Sequence, residues 1–309
     1  MGRTGSSEVL FGVAAATVVI GLGYGAVSDW RTREVSDHLW LVLALVGSAL
    51  AVAGAWGSGV LPTLLYLAMA LLVLEHLLPW DVAVERIHPQ LPGALEAIAY
   101  VGVLAWLTWV GLTYGVGASG LPIGVIAVYA SVLLARTLFE LGLLYGGADA
   151  KALMVTGLLV PVAATPLLPI PMAAQLPLAV FPFALTLLMN AAVLSILVPL
   201  GLGVRNLARG DFEFPRGFTG YRLDVRELPR HFVWLKDPTF ARDRTDEERE
   251  VETTAEDVAL RRRQRDQLLA KGVARVWVTP QLPFIILLAA GAVSGLLAGN
   301  LLYDVLSLL

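Results

Sequence analysis

Long apolar runs dominate this chain, and short polar segments interrupt them at intervals close to the width of a lipid bilayer. Eight runs approach the ~20 residues that an α-helix needs to cross the hydrocarbon. They fall at 8–28, 38–56, 60–78, 95–114, 120–143, 151–169, 175–203 and 281–303. The pattern predicts an all-α polytopic membrane protein of about eight transmembrane helices. The seventh run carries internal prolines, so a kink or an irregular start is expected there. Only Gly- and Thr-containing turn residues separate the fourth and fifth runs, which leaves six or seven spans as alternatives. Three regions follow: transmembrane helices over 1–203, a soluble cytoplasmic segment over 204–280, and a last transmembrane helix within 281–309.

Composition agrees with this pattern. Of the 309 residues, 57% are hydrophobic and 15% charged, whereas a soluble domain is about a quarter charged. A net charge of −3 gives no argument for nucleic acid. The absence of Cys excludes disulfides, thiol catalysis and Cys-ligated metal centres. The histidines (His38, His76, His88, His231) show no metal-ligand spacing, so neither metal nor cofactor is expected. No small-residue cleavage site follows a short apolar core, and the first span is expected to be retained.

Loop charge sets an orientation. With eight spans, connections 29–37, 79–94, 144–150 and 204–280 share one side. They carry or adjoin Arg31, Arg33, Arg86, Arg136, Lys151 and the large basic segment. The opposite connections, about 57–59, 115–119 and 170–174, contain no Lys or Arg. Positive charge gathers on the cytoplasmic side, so the active side is expected there and both termini outside. Within 204–280, aromatic and turn residues from Phe212 to Trp234 suggest a few short strands or a packed loop. Residues 245–271 read as a charge-dense helix, either solvated or facing a charged partner.

Two polar segments on that side each carry an aspartate against a membrane edge: Asp29 to Asp37, and Gly146-Gly147-Ala148-Asp149-Ala150-Lys151. Carboxylates are costly there and need a reason. Two of them close together share a proton and activate a water, one as base and one as acid. Gly146 and Gly147 allow close backbone approach before Asp149. The plainer reading makes Asp29 a loop residue and Asp149 the N-cap of the sixth span.

The segments also resemble the type IV prepilin peptidase family, in its archaeal preflagellin and prepilin peptidase branch. The first resembles that family's pattern of Asp, any residue, Arg, then an aliphatic and an Asn or Asp, at Asp29, Arg31, Val35 and Asp37, with Trp40 just beyond. The second resembles its Gly-x-hydrophobic-Asp pattern at Gly146, Ala148 and Asp149, followed by Lys151. Residues Val276 to Phe284 resemble the lead-in to the last span of preflagellin peptidases. The resemblance covers 8–60 and 120–309.

It implies a membrane aspartic endopeptidase that cleaves the basic leader of prepilin-like or archaellin precursors at the cytoplasmic face of the cell membrane. Asp29 and Asp149 would be the catalytic pair. Arg31, Asp37, Gly146, Gly147, Ala148 and Lys151 would shape the site. The implied partners are leader peptides and membrane lipid. Bacterial relatives often carry a four-cysteine zinc region and methylate the new N-terminus. Without Cys, peptidase activity is expected without methylation. Ala148 stands where many relatives have Gly. The aspartates are further apart in sequence than in the compact archaeal form, which places an added helical pair within 60–118 beside a six-helix core.

Other polar residues take lesser roles. Arg33 reads best as a positive-inside anchor, and Asp37 as a cap of the second span. Lys151 either favours ionised Asp149 or anchors its helix. Glu75-His76 and Glu140 read as a polar cluster or, more plainly, as interfacial groups, and Asn190 as an interhelical hydrogen-bonding residue. Asp304 lies on the opposite side. Two rivals differ in detail. A presenilin-like intramembrane protease would carry a late Pro-Ala-Leu motif, which does not occur here. A transporter with aspartates at a cation site would show an internal repeat, and the halves show none.

Overall fold

The computed structural model describes residues 2–78, 91–144, 146–162, 181–236 and 254–307. The chain is mostly helical, and each of the eight expected apolar runs contains a helix. Along the first half these are α1 (Gly2–Thr32), α2 (Asp37–Trp56), α3 (Val60–Glu75), α4 (Leu91–Tyr114), α5 (Ile123–Glu140) and α6 (Gly147–Leu159). Then come α7 (Phe183–Ser195) and α8 (Leu197–Ala208), with α11 (Phe284–Ala298) and α12 (Leu301–Ser307) at the end. Among the described residues, five stretches are long and apolar enough to cross a membrane: Ser7–Thr32, Asp37–Trp56, Gly93–Tyr114, Ile123–Glu140 and Phe183–Ala208. Val60–Glu75 and Phe284–Ala298 are apolar but shorter. The chain is therefore a membrane protein with five candidate spans. Arg86, the connection 170–174, the first residues of the expected seventh run and the start of the 245–271 helix lie outside the described residues.

The chain divides into two compact units, with divisions inside the long helix α1 and near the α7–α8 junction. The first comprises Met1–Val27, Val35–Val193 and Phe284–Leu309. Its centre is α6, where every residue from Ala152 to Leu159 is buried. Helix α6 packs against α2, α3, α5 and α11. Trp40, Leu65, Val128, Leu153, Leu187 and Leu288 belong to the surrounding core. Outward faces are apolar too, with Ile20, Trp56, Ile98, Val101 and Leu112 exposed. A water-soluble surface would not carry such a belt, whereas hydrocarbon accepts it. Helix α6 starts at Gly147, earlier than the expected 151, and ends at Leu159 because Val160 precedes Pro161 and turns extended.

Helices α7 and α11 cross where Gly291 has no room for a side chain, since a Cβ there would collide with the Leu187 carbonyl. Asn190 occupies the interhelical role expected of it. Its Nδ2 donates to Gly299 O at 2.8 Å and to Ser294 Oγ at 3.1 Å. Its Oδ1 accepts from Leu301 N at 2.8 Å. One buried amide thus satisfies the chain where α11 ends and α12 begins.

The second unit comprises Ser28–Glu34 and Leu194–Pro283. It departs from the all-α expectation, because the soluble segment holds a small antiparallel sheet. Its elements are α9 (Arg216–Thr219), β1 (Tyr221–Asp224), a 3-10 helix (Val225–Arg230), β2 (Val233–Leu235), α10 (Thr254–Ala270) and β3 (Arg275–Pro280). The strand order is β1–β3–β2, with Tyr221 opposite Val278 and Val233 opposite Pro280. Val276 and Val278 of β3 point inward with period two, joining Leu223, Val225, Leu228, Val233 and Leu268 in a separate core. Helix α10 is charge-dense, yet it is not solvated all round. Arg261 and Leu268, two turns apart on one face, are 2% and 1% exposed.

Arg275 grips Asp211 with two hydrogen bonds, Nη2 to Oδ2 at 2.6 Å and Nη1 to Oδ1 at 3.2 Å. That hydrogen bonding holds the Asp211 carboxyl below the usual carboxylate range.

Two predictions follow from these contacts. Asn190→Leu strands a buried N–H and C=O, each worth roughly 1–3 kcal/mol, and should lower the Tm of the detergent-solubilised protein by several degrees. Asp211, with its folded pKa depressed, contributes stability above its unfolded pKa of about 3.9. That contribution is lost as pH falls through the lower folded value. The Tm difference between wild type and Arg275→Met should therefore hold at neutral pH and shrink below about pH 4; a difference independent of pH would contradict the assignment.

Candidate active site

The second aspartate segment is ordered by its glycines. Gly146 is the N-cap of α6 in extended conformation, and Gly147, Ala148 and Asp149 are its first three helical residues. Asp149 is therefore not the N-cap expected from the sequence, because the helix starts before it. Its N–H donates to Gly146 O at 3.0 Å. Its carboxylate folds back over the helix start, so a Cβ on Gly146 would lie 3.1 Å from Oδ2. Any side chain at 146 would crowd that oxygen. Asp149 is only 9% exposed, and it stands at the positive end of the α6 dipole, where negative charge is favoured.

Lys151 and Asp37 come together. Lys151 Nζ donates to Asp37 Oδ1 at 2.5 Å, joining the first turns of α6 and α2. Ser36, not Asp37, caps α2, accepting from His38 N at 3.4 Å. Within the first unit this ion pair joins the start of α2 to the start of α6.

Asp29 belongs to the second unit and sits in the last turn of α1, where a loop was expected. The helix continues to Thr32 because hydroxyls close its end. Ser28 Oγ donates to Glu34 O at 2.8 Å, and Thr32 Oγ1 to Ser28 O at 2.9 Å. Arg33 then turns left-handed, with φ 60°, and its N–H donates to Asp29 O at 3.0 Å. A non-glycine residue there costs roughly 1–2 kcal/mol. Asp29 is half-buried, while Arg31 and Trp30 are exposed.

Arg33 makes contacts within the second unit. Its Nη2 donates to Gln281 O at 2.5 Å, and its guanidinium lies 4.5 Å over the Phe232 ring. Arg261 approaches the same ring at 4.7 Å and donates to His231 O at 2.6 Å. Sequence spacing connects none of residues 33, 232, 261 and 281, and only the tertiary fold joins them. Beside them opens a cleft of about 260 Å³ lined by Trp30, Arg33, Tyr221, Arg230, Phe232 and Gln281.

A further polar cluster joins α3, α4 and α5. Arg136 pairs with Glu96 at 2.9 Å and with Glu140 at 2.8 Å. His76 meets Glu75 at 2.5 Å and Tyr100 OH at 2.6 Å. The sequence had offered Glu75-His76 and Glu140 either as a polar cluster or, more plainly, as interfacial groups, and Glu96 and Arg136 link them. The i,i+4 spacing of Arg136 and Glu140 was the available hint, and Glu96 and Tyr100 offered none. Among the described residues no group of three or more His, Asp or Glu is placed to hold a metal ion.

Residues 214–301 match the family model described as Archaeal Peptidase A24 C-terminus Type II. This match supports the archaeal prepilin/preflagellin peptidase family for the chain. No curated protein matches it. The matched stretch contains β1 to β3, α10 and α11, and with them Phe232, Arg261 and Gln281.

The Asp37–Lys151 pair is partly exposed, at 69% and 24%, and such pairs contribute under about 1 kcal/mol. Asp37→Lys and Lys151→Asp should each lower the Tm slightly by placing like charges together. The double exchange should recover most of the loss. Additive losses in the double variant would show that the two side chains do not interact.

Proposed function

We propose that this peptidase is a membrane aspartic endopeptidase acting on the basic leaders of prepilin-like or archaellin precursors, with Asp29 and Asp149 as its catalytic pair. The observation that carries the reading is the A24 C-terminal match over 214–301 in a chain that also holds both aspartate motifs in family order. The structure adds support at the level of each motif. Asp149 is held against the start of α6 by its glycine, and Asp29 is part of an ordered helical turn.

The chemistry needs one ionised and one protonated carboxyl. The ionised group takes a proton from water as that oxygen attacks the scissile carbonyl. The protonated group then gives its proton to the leaving amine as the C–N bond breaks. In this reading the chain has eight spans, a six-helix core plus a pair within 60–118. Positive loop charge places the site at the cytoplasmic face of the cell membrane and both termini outside. Cleavage is not followed by methylation.

Co-expression with a tagged precursor provides the test. Asp29→Asn and Asp149→Asn should each leave the protein inserted and reduce cleavage by about 10²–10⁴-fold, the range of a lost acid–base group. Cleavage retained by either variant would overturn the pairing. A cut inside the substrate's hydrocarbon segment would instead favour an intramembrane protease.

A further inference from the structure

We infer that Arg33 is a positioning residue for Asp29, set by a guanidinium–aromatic clamp on the soluble unit. Two ends of one residue make the connection. Its backbone N–H holds the Asp29 carbonyl at 3.0 Å, closing the last turn of α1. Its side chain reaches Gln281 O at 2.5 Å and sits over the Phe232 ring, 4.5 Å from its centroid. The receiving corner is itself fixed, since Gln281 N donates to Phe232 O at 3.0 Å. Behind the ring, Arg261 is 2% exposed and braced on His231 O at 2.6 Å. Phe232 therefore takes a guanidinium from the α1 turn and another from α10.

Both contacts suit arginine. A planar guanidinium stacks on an aromatic ring while one N–H reaches a carbonyl in its own plane. The left-handed backbone at Arg33 is part of the device. A residue with φ 60° reverses the chain after α1, and any residue with a Cβ resists that conformation. A glycine would adopt it freely but would carry no clamp. Keeping arginine at a position whose backbone favours glycine is what a side-chain function there requires.

The inference rests on the reading of Asp29 as catalytic, and the variants separate the two. Arg33→Gly relieves the backbone and deletes the clamp. Phe232→Leu removes the aromatic face with little change in bulk, and Phe232→Tyr keeps it. With full-length protein in lipid and a prepilin-like precursor, Arg33→Gly should show a Tm no lower than wild type. Its kcat should fall at least tenfold with KM unchanged, toward the ~10²-fold that a misplacement near 1 Å costs. Phe232→Leu should lower kcat likewise, and Phe232→Tyr should restore it. Wild-type kcat in Arg33→Gly beside an inactive Asp29→Asn would overturn this inference alone. A joint loss of Tm and kcat that Phe232→Tyr does not rescue would reduce Arg33 to a structural role and also overturn it. Cleavage by Asp29→Asn would instead sink the catalytic assignment on which it rests.

Discussion

Burial of helix α6 is the constraint on which the first unit depends. A thirteen-residue helix is too short to cross the hydrocarbon with its backbone exposed to lipid. Its protection comes from neighbours: α2, α3, α5 and α11 cover it, and from Ala152 to Leu159 nothing is left outside. The acidic residue of its first turn is Asp149. A carboxylate is tolerated at that end because the helix start supplies unpaired N–H groups and a favourable dipole. The same residue in the helix middle would have to be neutral or paired.

The apolar packing leaves little room for polar error, and the buried polar groups are arranged accordingly. Asn190 spends both ends of its amide on the turn between α11 and α12. Arg261 is buried almost completely, and its guanidinium donates to the His231 carbonyl and lies near the Phe232 ring. The second unit coheres through a small aliphatic core and cationic side chains laid on aromatic faces, including Arg205 over Tyr221 at 3.9 Å.

Residue pattern alone made much of this legible. Apolar runs located the long apolar helices, since hydrophobic length is a local property, whereas α10 was legible only from its charge. Both aspartate segments stood out because charge is rare in this chain. The start of α6 was misjudged by four residues, because hydropathy ignores Gly146-Gly147-Ala148, which are weakly apolar but free to enter a helix. Asp29 was assigned to a loop for a related reason. Polar residues at a span's end read as a break, whereas the Ser28 and Thr32 hydroxyls close the helix through them. The sheet was only half visible, because strands of three to six residues carry a weak alternation. The contacts of Arg33 were not legible because Phe232 and Gln281 lie about two hundred positions or more further on.

Lys151 shows how such a misreading arises and what it conceals. Two residues from Asp149, a lysine invites the conclusion that it sets the charge of that carboxylate. In a helix, residues two apart point to different sides, so sequence proximity overstates the interaction. The ammonium instead reaches Asp37 at 2.5 Å, across 114 positions of chain. The cation nearest Asp149 in sequence is thereby engaged by a carboxylate at the start of α2. The dipole of α6 acts on Asp149 as well, and salt screens it little because the carboxylate is only 9% exposed. Mutation of Lys151 should then be felt in the packing of α2 on α6 before it is felt in the chemistry of Asp149.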